Sequence, residues 1–364
     1  MTPSRYAAPD FSVPRLADAP DARFAVTPAP GVLPEGFFST SNLPTYVRLG
    51  GRWIMPDRPR MDCVIVRRGE TVETIEPRRL EAGELVAMGE AEDGSDGILV
   101  HAAGFLGGAA HGAAGEFRFM STEVSRERPV NYEELASQLI EQRADGYVVW
   151  VVGPALVHSR ARSDFEWFIS QGFVHAVLCG NAVAVHDIEA AIFGTTLGMA
   201  SDGSPADGGH GLHMRAINQV RAAGSIEAVV RSGVVRSGIM HALITTQVPY
   251  VLAGSIRDDG PLPGVISDAL AAQEAMREHT VKATGAIFIA TALHAIAVGN
   301  MLPAFHLDHG EPTPLMTICV DQTEFVVNKL KDRGTHQAYG VVTNAQDFMT
   351  VLRVHVERRL AASA

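Results

Sequence analysis

The chain has few cysteines and no motif built from them. Its 364 residues include only Cys63, Cys179 and Cys319, which are far apart and form no CxxC pair. Three scattered cysteines argue against a disulfide framework and against a thiolate zinc site. We therefore expect a reduced, cytoplasmic protein. Cys179 ends an apolar run, where a cysteine usually acts as a small apolar residue rather than as a nucleophile.

An excess of positive charge and a membrane-length apolar run are also absent. Aspartate and glutamate outnumber lysine and arginine by 41 to 30, giving a net charge of −11, which argues against nucleic acid or an anionic membrane as a partner. The longest apolar run, residues 283–300, is interrupted at Thr284, Gly285, Thr291 and His294. A span needs about 20 uninterrupted apolar residues. We expect a globular protein with a small-molecule partner.

Two common catalytic motifs are missing as well. No GxSxG nucleophile elbow occurs. The glycine-rich residues 97–115 precede EFRFMSTEV, which has a strand pattern, whereas a phosphate-binding loop must open a helix. We predict a flexible hairpin loop there. The histidines of GGHGLHM and FHLDHGE lie among glycines and prolines, so no metal site is predicted. Of these histidines, His210 is the candidate for a contact with the substrate.

The first 128 residues predict an arm followed by a β-rich domain. Residues 1–30 are rich in proline and aspartate and have no apolar h-region, which predicts a flexible arm rather than a signal peptide. In residues 31–128, short runs alternate apolar and polar positions, as half-buried antiparallel strands do. Gly50 and Gly51 separate two such runs and predict a hairpin turn.

Residues 129–364 alternate strand and helix patterns. Asn131 followed by Glu134 is a capping-box arrangement at a helix start. The apolar run YVVWVVG that comes next is typical of a parallel strand covered on both faces. The same alternation recurs towards the C-terminus. The predicted fold class is therefore α/β, with an N-terminal β-rich domain followed by a Rossmann-like domain around a parallel sheet.

Polar clusters follow several of the predicted strands. They are Gly180-Asn181, residues 254–263, residues 298–303 and Asp321. Because ligands of open parallel sheets bind beyond the carboxyl ends of the strands, these clusters indicate a ligand crevice. Asp321 stands 22 positions after Gly299 (299 to 321), close to the spacing of the ribose-binding acid in dinucleotide sites, but no GxGxxG accompanies it. The alternative is that Asp321 caps the next helix.

Eight segments carry a resemblance to a known family. They are, in order, PEGFFSTSNLPTYVR, MDCVIV, FMSTEVSRERP, CGNAVAVHDIEAAIFGTTLG, AGSIRDDGPLP, AVGNMLP, CVD and DRGTHQAYGVVTN. Together they resemble the archaeal-type ornithine cyclodeaminase family, whose conserved domain is also named after lysine-ketoglutarate reductase/saccharopine dehydrogenase. The similarity extends from about Pro34 to Leu352. It implies a β-rich N-terminal domain, a Rossmann-like domain related to the NAD domain of deoxyhypusine synthase, and tightly held NAD that is recycled.

The resemblance also implies which residues contact NAD. Carried over by motif, they are Asn181, Ala182, Asp259, Asn300, Met301, Leu302, Pro303 and Asp321. The loop at residues 304–315 is longer than the resemblance leads us to expect. It leaves the choice of substrate open.

The implied reaction converts L-ornithine to L-proline and ammonia. His186 or Asp187 would move protons or bind the substrate amine, unless the two residues only fix a loop. Arg257 would grip the α-carboxylate through its planar guanidinium, unless it forms an internal salt bridge. Carboxylates such as Glu189 and Asp258, together with Asp187 and Asp259, would hold the distal ammonium.

Three other functions are also compatible with the sequence. One is an NAD-dependent amino-acid or opine-type dehydrogenase, and another is a cyclodeaminase for a different diamino acid. A third is a non-catalytic NAD-binding regulatory protein. We also expect a homo-oligomer, the common default for such enzymes.

Overall fold

The computed structural model describes residues 6–105, 130–200, 202–258, 260–308, 310–323, 326, 328 and 339–363. Contacts divide the chain into two compact units. The N-terminal unit holds residues 1–119, 299–315 and 331–337, and the C-terminal unit holds the remainder. Within the described ranges, no helix is both long and apolar enough to cross a membrane.

The N-terminal unit is built from antiparallel strands. Its elements are α1 (Pro14–Ala17), β1 (Arg23–Val26), β2 (Thr45–Leu49), β3 (Arg52–Ile54), β4 (Val64–Arg68), β5 (Thr71–Ile75), β6 (Leu85–Met88), β7 (Ile98–Val100), β14 (Phe305–Asp308), β15 (Glu311–Pro314) and the 3-10 turns Pro77–Arg79 and Ala102–Phe105. The sheets are β1-β6-β4-β5, β3-β2-β7 and the hairpin β14-β15. Gly50 and Gly51 form the β2–β3 turn with φ of 58° and 75°, as predicted.

Part of the segment predicted as a flexible arm, residues 1–30, is paired and packed in this structure. Strand β1 pairs with β6, and Leu16 on α1 packs with Tyr46 and Leu99 in a small apolar cluster. A few buried apolar residues and one strand pairing are enough to fix a segment whose composition is polar. The structure also groups residues 299–315 with the N-terminal unit. The predicted hairpin loop beyond residue 105 and the predicted boundary at residues 128–129 lie outside the described residues.

The C-terminal unit is an α/β domain. Its elements are α2 (Tyr132–Asp145), β8 (Val148–Val152), α3 (Ala155–His158), α4 (Arg162–Ser170), β9 (Ala176–Gly180), α5 (Asn181–Phe193), β10 (Thr195–Thr196), β11 (Met199–Ala200), a 3-10 turn (Gly209–Gly211), α6 (Leu212–Ala223), α7 (Ile226–Arg231), α8 (Ile239–Thr245), β12 (Tyr250–Ala253), α9 (Ala269–Thr280), β13 (Gly285–Ile289), α10 (Ala292–Met301), β16 (Met316–Asp321), β17 (Tyr339–Val342) and α11 (Ala345–Ser363). The last residues of α10 fall in the N-terminal unit.

Six parallel strands form the sheet of this unit. Their order is β12-β9-β8-β13-β16-β17. Counted along the chain, this is the order 3-2-1-4-5-6 of doubly wound dinucleotide-binding folds. The predicted fold class is confirmed. The order of the strands reverses between β8 and β13, which is where such folds open a crevice beyond the carboxyl ends of their strands.

The core explains why the central strands are continuous apolar runs. All five residues of β8 are buried, and Trp150 at its centre meets the rings of Phe165 and Phe168 at centroid distances of 5.2 and 5.5 Å. The Trp150 indole N–H donates to the carbonyl of Phe173 at 3.1 Å. Each fully buried side chain of this size contributes about 1.5–3 kcal/mol, so this contact set anchors α4 to the sheet.

The carboxyl ends of β8 and β13 approach each other closely. The N–H of Gly153 donates to the carbonyl of Ile289 at 2.9 Å. A Cβ added at Gly153 would overlap the carbonyl oxygen of Ala290, so only glycine fits at this position. Ala290 itself has a φ of 52°, which a residue with a side chain rarely adopts. The chain is therefore constrained on both sides of the switch point.

Candidate functional site

Helix α5 begins directly at the carboxyl end of β9. Gly180 is its N-cap, with extended φ and ψ of −90° and 163°, and it has no side chain that could cap the helix. Asn181 and Ala182 follow in the first turn of this 13-residue helix. First-turn N–H groups have no acceptor within the helix and carry a partial positive charge. The predicted GNA motif therefore presents bare backbone at the edge of the sheet.

The Asn181 side chain is engaged within the protein. It is 5% exposed, and its Oδ1 accepts the backbone N–H of Leu262 at 3.1 Å. This bond ties the start of α5 to the loop that follows β12. Asn181 Oδ1 is therefore engaged within the protein, and the cofactor contact at Asn181 stays a prediction.

The loop after β12 exposes its arginine. Asp258 accepts the N–H of Ser255 through Oδ2 at 2.7 Å, which closes a tight turn. The Arg257 side chain is exposed, and no carboxylate among the described residues pairs with it. Ile256 beside it is fully exposed. The internal salt bridge that was the alternative for Arg257 does not form with Asp258. Asp259 lies outside the described residues.

A polar cluster on α3 and α5 consists of the partly buried His158 and the buried His186 and Glu189. The ring of His158, at the end of α3, lies 4.6 Å from the ring of His186 on α5, with an interplanar angle of 56°. His186 Nδ1 lies 3.4 Å from Oε2 of Glu189, one helical turn further. Burial lowers the pKa of His158, and the neighbouring His186 lowers it further. His186 is 8% exposed, so only a small part of its side chain is accessible to a ligand.

Glu189 is occupied by internal donors. It is completely buried, and it accepts Thr195 Oγ1 at 2.9 Å, the Leu197 N–H at 3.0 Å and the Gly198 N–H at 2.9 Å. Burial alone would raise the pKa of this carboxyl group, but the bond from His186 and these three bonds outweigh it and hold the pKa below its ordinary value. A carboxylate with these partners anchors the β10–β11 hairpin. The suggestion that Glu189 holds a substrate ammonium does not agree with this position.

Asp187 also differs from its prediction. It is completely buried, forms an ion pair with Arg162 Nε at 2.6 Å, and accepts the first N–H groups of α8 from Ile239 at 2.9 Å and Met240 at 2.8 Å. Burial raises the pKa of this carboxyl group, while Arg162 and the two N–H donors act against the rise. Both oxygens are engaged, so a substrate-facing role for Asp187 is at odds with the structure. Asp187 instead joins α4, α5 and α8.

Asp321 stands at the carboxyl end of β16. Its Oδ1 accepts the N–H and the hydroxyl of Thr323, both at 2.9 Å. Its Oδ2 has no partner among the described residues and the side chain is partly exposed. The short turn accounts for one oxygen and leaves the other available to a ligand. Most of the helix that Asp321 was alternatively predicted to cap lies outside the described residues.

The predicted contacts at residues 300–303 belong to the N-terminal unit. Met301 and Leu302 are 3% and 1% exposed, whereas Asn300 and Pro303 are partly exposed. The next residue, Ala304, donates its N–H to the carbonyl of Asn42 at 2.9 Å. Because the side chains of Met301 and Leu302 are buried, these two residues can offer a ligand only backbone groups.

Sequence reasoning missed one histidine at the edge. His294 lies on α10, and its ring Cε1 stands 3.0 Å from the point where a Cβ on Gly180 would be. Burial lowers the pKa of His294. In the sequence it only interrupts an apolar run, so no pattern marked it. The candidate His210 is exposed in the 3-10 turn before α6. Across the described ranges, no three His, Cys, Asp or Glu side chains are grouped as metal ligands.

The chain is similar to known proteins over most of its length. Residues 133–352 match the family model described as arginine dihydrolase ArgZ-like, C-terminal, Rossmann fold, and residues 44–133 match the first C-terminal region of the same proteins. An ornithine cyclodeaminase of Methanopyrus kandleri is 42% identical over 343 residues, covering 93% of this chain and 79% of that protein.

Two solved structures share the fold. A conserved LOR/SDH protein from Methanococcus maripaludis has a TM-score of 0.83 and 38% identity, covering 94% of this chain and 99% of that one. The ternary complex of AgrE with ornithine and NAD+ has a TM-score of 0.60 and 34% identity, covering 95% of this chain and 47% of that one.

Proposed function

This chain belongs to the family of ArgZ-like C-terminal regions and archaeal ornithine cyclodeaminases, as its resemblance predicted, and we propose that it converts L-ornithine to L-proline and ammonia with recycled NAD. The observation that carries the proposal is the similarity over 93% of the chain to a protein named for this activity. A relative's structure with ornithine and NAD+ supports both the substrate and the cofactor.

The carboxyl edge of the sheet fits a dinucleotide. Asp321 offers a carboxylate oxygen at the end of β16, and the first turn of α5 offers backbone N–H groups at the end of β9. Three strand intervals separate β16 from β9, about 14 Å, since neighbouring strands lie about 4.8 Å apart. In this proposal Asp321 holds the adenosine ribose, and Asn181 and Ala182 contact the nicotinamide half. Asp259 completes the cofactor contacts proposed in this unit, and the contacts predicted at residues 300–303, which belong to the N-terminal unit, stay a prediction.

Asn181, Ala182 and Asp321 would hold NAD, which would supply the hydride-transfer chemistry for oxidation at Cα and for reduction after ring closure. The protein must orient the amino acid and move protons. The exposed Arg257 guanidinium suits the α-carboxylate, and Asp258 with Asp259 suits the distal ammonium. His186, whose Nδ1 faces Glu189, is left with Nε2 as the group that meets a ligand.

The proposal includes the setting of the enzyme. The three cysteines are buried and form no disulfide with one another, which suits a reducing cytoplasm. Closed homo-oligomers are the usual state of enzymes of this size, so we expect one here.

One experiment separates the proposal from its rivals. Mass spectrometry of the purified protein should detect bound NAD. Assays with ornithine, lysine and diaminobutyrate should then yield ammonia and a cyclic imino acid, fastest from ornithine, without net NADH. Stoichiometric NADH would identify a dehydrogenase instead, and binding of NAD without turnover of any of the three would identify a regulatory protein.

A further inference from the structure

We propose that His294 is the acid–base catalyst for the α-amino group of the substrate, a role that rests on the proposed function. Helix α10 follows β13, yet the imidazole of His294 reaches Gly180 at the end of β9. In the sheet, β8 lies between these two strands. The side chain therefore extends over the switch point, at the end of the crevice assigned above to the nicotinamide.

The ring lies directly against the backbone of the GNA motif. Its Cε1 is 3.0 Å, and its Nε2 3.6 Å, from the position that a Cβ on Gly180 would take. The absence of a side chain at Gly180 is what leaves room for the imidazole. A nicotinamide held by Asn181 and Ala182 would have His294 as its neighbour, so a substrate that meets the nicotinamide would meet His294 as well.

Neither nitrogen of His294 has a hydrogen-bond partner within the part of the chain that the structure describes. Two other half-buried histidines of the same unit have partners: His175 Nδ1 accepts the Val148 N–H at 3.0 Å, and His279 Nδ1 lies 2.7 Å from the Tyr147 hydroxyl. His294 is only partly buried, so a ligand at this edge can reach its ring nitrogens.

The chemistry needs one group that first accepts and later returns a proton. The α-ammonium of ornithine must lose a proton before Cα can be oxidised, because the nitrogen lone pair assists departure of the hydride. The δ-ammonium loses a proton to water before its lone pair attacks Cα, and the C=N π electrons move onto the α-nitrogen. The α-nitrogen then takes its proton back and leaves as ammonia, while the ring nitrogen loses a second proton to water and forms the cyclic C=N bond. The proline nitrogen and the released ammonia take up these two protons at the end. His294 accepts and returns the proton of the α-nitrogen, so no net proton is consumed. His186 is less suited, since its Nδ1 is committed to Glu189.

The test compares His294→Ala and His294→Asn with wild type and with His279→Gln. His279→Gln is a matched control, because His279 is also half-buried but lies on α9, where its ring contacts the Tyr147 hydroxyl. We expect both His294 variants to keep bound NAD and to lose about 100-fold or more in kcat, the usual contribution of general acid–base catalysis. Wild-type activity should fall as the pH drops through the pKa of His294, and the variants should lack that acid limb.

A second readout does not depend on turnover. Diethyl pyrocarbonate should modify His294 in the full chain, as followed by peptide mass spectrometry. NAD+ at ten times its Kd should slow that reaction roughly tenfold, since only the free fraction reacts, and should leave His279 unaffected. The inference is overturned if His294 is not protected, if kcat per bound NAD stays within threefold of wild type in either variant, or if the acid limb persists.

The two proposals can fail separately. Wild-type protein that binds NAD but makes no proline from ornithine overturns the proposed function. Protection of His294 would in that case still place it against the cofactor. Activity on ornithine together with unprotected, dispensable His294 overturns only the assignment of the histidine.

Discussion

The side chain of Asn181 accepts the backbone N–H of Leu262 at 3.1 Å, which joins the start of α5 to the loop after β12. Both ends of this bond are buried. The bond thus links the GNA motif to the residue that directly follows RDDGP, the other segment of this unit that the family resemblance marks for cofactor contacts.

Replacing Asn181 by alanine should cost stability as well as affinity. The N–H of Leu262 would remain buried without an acceptor, at a cost of about 1–3 kcal/mol. Asn181→Asp keeps an acceptor oxygen and should retain most of that stability. Urea unfolding and NAD titration of both variants measure the two effects. An alanine variant as stable as wild type would show that the bond does not hold the loop.

Asp321 should determine affinity for NAD. Asp321→Ala should weaken NAD binding by about 1–3 kcal/mol, the value of a lost charged hydrogen bond. It should also reduce discrimination against NADP, whose 2′-phosphate a carboxylate repels. Asp321→Asn keeps an acceptor for the Thr323 N–H and therefore isolates the effect of charge. Unchanged NAD affinity in both variants, measured by titration calorimetry, would leave Asp321 a turn residue only.

Asp187 should behave as a structural residue. Asp187→Ala leaves Arg162 and the N–H groups of Ile239 and Met240 without their acceptor, so we expect a loss of about 3–5 kcal/mol in the free energy of unfolding. Glu70→Ala is the control, because its 3.8 Å ion pair with Arg52 joins largely exposed side chains and should contribute nothing measurable. An Asp187→Ala protein with wild-type stability but no activity would restore the catalytic role.

Glu189 should make stability depend on pH in the acid range. The pKa of Glu189 in the folded protein lies below its ordinary value, so its ionised form contributes stability that is present above the ordinary pKa and is lost as the pH falls through the lower folded pKa. Glu189→Gln removes this contribution. The difference in unfolding free energy between wild type and variant should therefore shrink as the pH is lowered from 7 to about 3. Glu141→Gln, on the exposed side of α2, should show no such trend.

The outline of the fold follows from sequence patterns, whereas part of the N-terminal unit does not. The run that contains Val148–Val152 is apolar throughout because both faces of β8 are covered, and that pattern identifies a central strand unaided. Strand β1, with the sequence RFAV, has no pattern of its own. It is a strand because β6 pairs with it, and a single sequence does not reveal that pairing.

The candidate site was only partly predictable for a similar reason. His186 and Glu189 stand three apart on one helix, so their pairing could have been read from the spacing. The contact of His186 with His158 and that of Asp187 with Arg162 join separate helices and arise from the packing of the domain. His294 was hidden because a lone histidine in an apolar run has the appearance of a core residue.

The two bonds from α8 to Asp187 also make this helix a reporter of local opening. First-turn amide hydrogens of a helix lack helical acceptors and normally exchange with solvent deuterium quickly. Those of Ile239 and Met240 are instead bound to a fully buried carboxylate on α5. Their exchange requires α5 and α8 to separate, which is a sub-global event rather than the fraying of one end. These two amides should therefore exchange slowly, and their rate measures how often α5 and α8 come apart.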